Sequence, residues 1–113
     1  MASEPDLARE AAALLTRQFD IDEDAAYSLQ TTGMTMEDLR RFVTEQVRKL
    51  LSDNPALLMS ILYRIDVAEA DVQNILDYSE PSQIPVEVAD LLIERQIQKI
   101  RIRRAYRARN SEP

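Results

Sequence analysis

A chain of 113 residues suits one domain with one core, and here it carries 14 Lys and Arg against 20 Asp and Glu, a net charge of −6. It has one glycine, no cysteine and no histidine, which excludes disulfides, thiolate metal sites, phosphate-cradling glycine loops and the commonest general base. The first residues, MASEPDLARE, have neither the basic start nor the apolar core of a secretory signal, and no apolar run nears the roughly 18 to 20 residues of a membrane span, so an acidic cytoplasmic protein is expected.

With so little glycine, repeated β-turns are excluded and helices are expected throughout. Ser3, Pro5 and Asp6 read as a helix start, with Leu7, Ala11, Leu14, Leu15 and Phe19 at helical spacing behind it, predicting a first helix over 5–19. The acidic run at residues 20–24 caps a short second helix carrying Ala26 and Leu29, which stops where Gly33 takes the left-handed position. Thr35 with Asp38 three residues on makes a capping box, and Leu39, Phe42, Val43, Gln46, Val47 and Leu50 form one narrow face of a third helix. The string SDNP at residues 52–55 ends it and opens a fourth on Pro55, whose apolar face is Leu58, Ile61, Leu62 and Ile65. Asp66 and Glu69 then read as the N-cap and box of a fifth short helix to about Asp77, burying Val72, Ile75 and Leu76 and making a tight hairpin with the fourth. Residues 79–84 are a linker, and Pro85 opens a final helix to about Arg107, roughly 35 Å long at 1.5 Å per residue. The fold expected is therefore all-α, an irregular bundle of five or six helices with a long C-terminal helix, residues 1–113 forming one domain with 1–4 and 108–113 disordered.

What chemistry survives must use carboxylates. Asp20, Asp22 and Asp24 have the opening spacing of a calcium loop, but an EF-hand needs Gly at the sixth position and Glu at the twelfth, where Ala25 and Thr31 stand, so the acids are read as capping. The pairs Asp66/Glu69 and Glu87/Asp90 are loosely similar in spacing to the four-carboxylate magnesium site of the all-α nucleotide pyrophosphatases, a resemblance that covers four residues, lacks a further acid ahead of the first pair, and implies at most a metal-dependent nucleotide hydrolase. Residues 25–43 have the helix, glycine turn and second helix of a helix-turn-helix, yet Met36, Glu37 and Asp38 open the reading helix where phosphates would approach, although Arg40 and Arg41 follow. No catalytic residue, metal ligand, cofactor or small-molecule substrate is predicted.

Charge is segregated along the chain. Residues 1–93 hold 7 basic and 18 acidic side chains, net −11, and residues 94–113 hold 7 basic and 2 acidic, net +5. Arg95, Lys99, Arg103 and Arg107 lie four apart and repel by roughly 0.2–0.5 kcal/mol per pair, so their neutralising partners must lie outside the row. Ala89, Ile93, Ile97 and Ile100 make one apolar face of the last helix, and Leu91, Ile102, Ala105 and Tyr106 make nearly the opposite one. A helix apolar on two faces is sandwiched, either by the 55–77 hairpin of its own chain or by a second subunit. The candidate interface is thus Leu91, Arg95, Lys99, Ile102, Arg103, Tyr106 and Arg107, the partner being a second copy, as a homodimer, or another protein. The alternative is a nucleic-acid-binding protein using the same basic helix, with Tyr106 stacking on a base.

Overall fold

The computed structural model describes residues 4–19 and 35–110. Among these residues are five helices and no strand: α1 (Glu4–Phe19), α2 (Met36–Asp53), α3 (Pro55–Ile65), α4 (Glu69–Tyr78) and α5 (Ile84–Asn110). The short helix expected before Gly33 and the acidic run at 20–24 lie outside the described residues. The all-α bundle with its longest helix at the C-terminus is as the sequence predicts.

The boundaries of α2 and the start of α3 have local causes. The Thr35 side chain accepts from the Asp38 N–H at 3.1 Å while Asp38 Oδ2 accepts from the Thr35 N–H at 3.2 Å, a complete capping box that starts α2. Asn54 serves two helices at once: its N–H donates to the Leu50 carbonyl at 2.8 Å, closing α2, and its Oδ1 accepts from the Leu57 N–H at 3.2 Å, opening α3 on Pro55. Leu58, Ile61, Leu62 and Ile65 are all buried, as their spacing predicts.

Asp66 corrects the reading of the next boundary. It does not cap α4; it sits at φ 69° and ψ 42°, in the left-handed region, and closes α3. Its N–H donates to Tyr63 O at 3.1 Å and the Val67 N–H donates to Leu62 O at 3.1 Å, the paired bonds of a Schellman ending. Ala68 precedes α4 and offers no side-chain cap. With two residues between Asp66 and Glu69, the left-handed residue of the connector closes α3, and Asp tolerates that conformation better than most side chains. In α4, Val72 is buried and Ile75 half-buried, but Leu76, expected inside, is 40% exposed.

The spine of the bundle is α5. Its most extensive packing is on α2, with α1 and the α3–α4 hairpin laid on other sides. Val88, Ala89, Leu92, Ile93 and Ile100 join Leu15, Leu39, Val43, Val47, Ile61 and Ile65 in one buried cluster. Burial of each large aliphatic side chain contributes about 1.5–3 kcal/mol, which makes this cluster the main stabilising element. The helix begins at Ile84, one residue before Pro85, and runs to Asn110. Beyond Ile100 it leaves the core: residues 101–103 and 105–109 are exposed, and Arg104 turns back to pair with Glu10 of α1. Among the described residues no helix is long and apolar enough to cross a membrane.

Candidate interaction surface

The seven residues singled out on the last helix divide in two. Leu91, Arg95 and Lys99 are half-buried, whereas Ile102, Arg103, Tyr106 and Arg107 are exposed. Ile102 keeps 60% and Tyr106 65% of their accessible surface, a large apolar exposure for one helix. The hairpin of α3 and α4 therefore covers the N-terminal half of the second face and leaves its C-terminal half open.

Arg95 makes that division. Its Nε donates to the Asp66 carbonyl at 3.1 Å, one terminal nitrogen donates to Asp66 Oδ2 at 3.2 Å, and the other donates to Gln98 Oε1 at 2.7 Å. The guanidinium thus clips the residue that closes α3 onto α5 and neutralises it there. One turn on, Lys99 has its pKa lowered, first by burial and then by the like charge of Arg95, with Asp66 opposing and Arg103 adding a little. The partner that relieves Arg95, Asp66, lies outside the row.

Beside this clip is an open cleft of about 800 Å³ between the Asp66–Ala68 connector and α5. Its inner half presents Val67, Ala68 and Leu91 with the carboxylates of Asp71 and Glu94; its outer half presents Ile97, Gln98, Arg101 and Ile102. Arg103, Tyr106 and Arg107 continue the outer half along the projecting helix. A second cleft of about 810 Å³ runs between α3 and α4, shares Asp66, Val67 and Ala68 with the first, and is walled by Met59 and Tyr63, 50% and 80% exposed. The sequence reading missed Met59, Tyr63, Val67, Ala68 and Asp71. A signal for the acidic wall was available: residues 65–94 contain eight Asp and Glu and no Lys or Arg.

The other candidates are not assembled. Of the four carboxylates with magnesium-site spacing, Asp66 is held by Arg95, Asp90 accepts from Arg40 Nε at 2.9 Å, and Glu87 has one carboxylate oxygen buried without a hydrogen-bond partner. Among the described residues no three acids are grouped to hold a metal ion. The arginines of the would-be reading helix are engaged within the chain, Arg40 with Asp90 and Arg41 with Glu37 at 3.6 Å. Of the acids on this part of α5, Asp90 is held by Arg40, whereas Glu94 stands exposed at the cleft.

Fold and surface together define an all-α bundle with a projecting basic helix and an amphipathic cleft at its base. The chain matches no protein-family model, no curated protein and no solved structure.

Proposed function

We propose that this chain is a non-catalytic helical protein of the cytoplasm that acts by protein–protein docking along α5, with a second copy of itself as the partner. The observation that carries the reading is the exposure of Ile102 and Tyr106 on a helix continuous with the cleft. Covering Ile102, Tyr106 and the rest of Leu91 on both copies contributes about 1.5–3 kcal/mol per fully buried side chain before the cost of association. Extending the contact over the cleft brings it toward the roughly 1,000 Å² that a specific interface needs. Light scattering on a size-exclusion column tests this at tens of micromolar protein: the expected mass is twice the 13.0 kDa chain, returning to 13.0 kDa for Ile102→Glu. An unaltered chain that elutes as a 13.0 kDa species refutes self-association.

A second reading, nucleic-acid contact, is favoured by the exposed Arg101, Arg103, Arg107 and Arg109 around Tyr106 on the projecting helix. The body below is net −11 over residues 1–93, which opposes a polyanion. With about four cations able to touch phosphates together, the expected binding is weak, non-specific and lost by physiological salt. Submicromolar binding of labelled single- or double-stranded oligonucleotide at that salt, abolished by Arg103→Glu with Arg107→Glu, makes this reading the leading one.

A further inference from the structure

The self-association proposed above leaves open how two copies meet, and the charges of the cleft answer it. Between residues 65 and 94 the chain has no cation, and between 95 and 109 it has seven cations and no acid. The change of sign falls inside the cleft, where Glu94 and Asp71 stand on the inner half and Arg101 on the outer half, with Arg103 one turn past Lys99 beyond it. None of these four side chains makes an ion pair with another described residue. All four are exposed.

Glu94 and Arg101 are seven residues apart, so they share one flank of α5 at about 10.5 Å along its axis. They are too far apart along one rigid helix to neutralise each other. A two-fold axis perpendicular to the helix solves this, because it returns each position to the same flank of an antiparallel copy at the mirrored height. Placed midway, beside Ile97 and Gln98, the axis brings Glu94 against the second copy's Arg101 and repeats the pair in reverse. The same operation lays Ile102 at the height of Ile93 and Tyr106 at the height of Ala89, over the inner half of the cleft where Val67, Ala68 and Leu91 are partly open.

We propose that the projecting end of α5 lies antiparallel in the Val67–Leu91 cleft of a second copy, with Glu94 of each facing Arg101 of the other and Asp71 adding to the acidic side of the contact. A second copy is the occupant because it alone supplies, by symmetry, a basic apolar helix for the acidic apolar cleft and the reverse. A polyanion meets the arginines but is repelled by Glu94 of α5 and Asp71 of α4 in the adjoining cleft.

The proposal rests on self-association through α5, and a charge-exchange experiment separates the two. Asp71→Lys with Glu94→Lys is made in one chain and Arg101→Glu in another, all at exposed positions, with helicity of each checked by circular dichroism. Each variant alone places like charges across the contact and is expected to weaken the dimer at least about tenfold. Mixed in equal amounts, the two are expected to restore a species of twice the chain mass, which also shows that neither was misfolded. A mixture that stays monomeric overturns the arrangement, as does a dimer that ignores both charge variants and is lost on Ile102→Glu, in which case docking through α5 stands and only the register falls. A parent chain that is monomeric overturns self-association itself, and one that also holds oligonucleotide at physiological salt through Arg101 and Arg103 assigns the helix to nucleic acid.

Discussion

Replacements at Asp66 separate its backbone role from its charge. Its φ of 69° costs an ordinary side chain about 1–2 kcal/mol, less for Asp and Asn, and nothing for Gly. Its ion pair with Arg95 is worth about 0.2–1 kcal/mol, because the Asp66 side chain is 80% exposed. The bond from Arg95 Nε goes to the Asp66 backbone and survives any substitution. Asp66→Asn then loses only the pair, about 0.2–1 kcal/mol. Asp66→Gly also loses the pair and adds about 0.4–1 kcal/mol of unfolded-chain entropy, offset by relief at the left-handed position. Asp66→Thr loses the pair and forces a β-branched residue into that position, a combined cost of about 1–3 kcal/mol. At about 4–8 °C per kcal/mol for a domain near this size, the Thr variant melts well below the Gly variant, by an amount that thermal and urea unfolding followed by circular dichroism resolve. Thr is a good helix N-cap, so if Asp66→Thr is as stable as the parent the residue caps α4 after all and the left-handed account is refuted.

Four further outcomes follow from the same geometry. Thr35→Ala removes the α2 cap and is expected to cost about 1 kcal/mol in urea unfolding. The pKa of Asp38 is held below its ordinary 3.8, first by the hydrogen bond from the Thr35 backbone, then by the Thr35 side chain and the Arg41 charge, so its contribution is complete above that value and lost as pH falls through the lowered one. Asp38→Asn should therefore flatten the stability–pH curve in acid, and an unchanged curve refutes the assignment. For Lys99 the sign is the reverse: burial and Arg95 lower the pKa from 10.5, the unfolded chain holds the proton more tightly, and the folded state carries a penalty at neutral pH that lifts as pH rises toward 10.5. Lys99→Gln should lack that alkaline gain relative to the parent. Millimolar Mg²⁺ or Ca²⁺ is expected to leave the melting temperature where matched monovalent salt leaves it; a ligand at one hundred times its dissociation constant would add about 2.7 kcal/mol, so a metal-specific rise would revive the acidic pairs.

The bundle was legible in the sequence because its helices are bounded by local signals. Thr35 with Asp38, and Asn54 with Pro55, act within four residues, and the apolar spacing of Leu58, Ile61, Leu62 and Ile65 needs only the helical period to be read. The failures have a different origin. Asp66-x-x-Glu69 is compatible with a helix start and with a helix stop, and what decides is that Val67 must reach back to the Leu62 carbonyl across a connector of two residues. Leu76 shares a face with Val72, but periodicity says which face a residue occupies and not how far the neighbouring helix extends along it, and Leu76 and Tyr78 remain 40% and 85% exposed.

The basic helix shows the same limit for charge, and with a functional consequence. Its cations look alike in sequence, yet Arg95 finds Asp66 at a separation of 29 residues and Arg104 finds Glu10 at a separation of 94, contacts that no local pattern encodes. These two pairs fasten opposite sides of α5 to the acidic body, one to the α3–α4 hairpin and one to α1. What they leave over is Arg101, Arg103, Arg107 and Arg109 on the part of the helix that has already left the core, interleaved with Ile102 and Tyr106. A cation that stabilised the fold had acids of its own chain within reach, since residues 1–93 hold 18 of them. Those that project beyond that reach contribute nothing to holding the bundle together, and the self-repulsion of a basic helix end is relieved only when something acidic and apolar is brought to it. The inner half of the cleft, with Asp71 and Glu94 around Val67 and Leu91, has that composition.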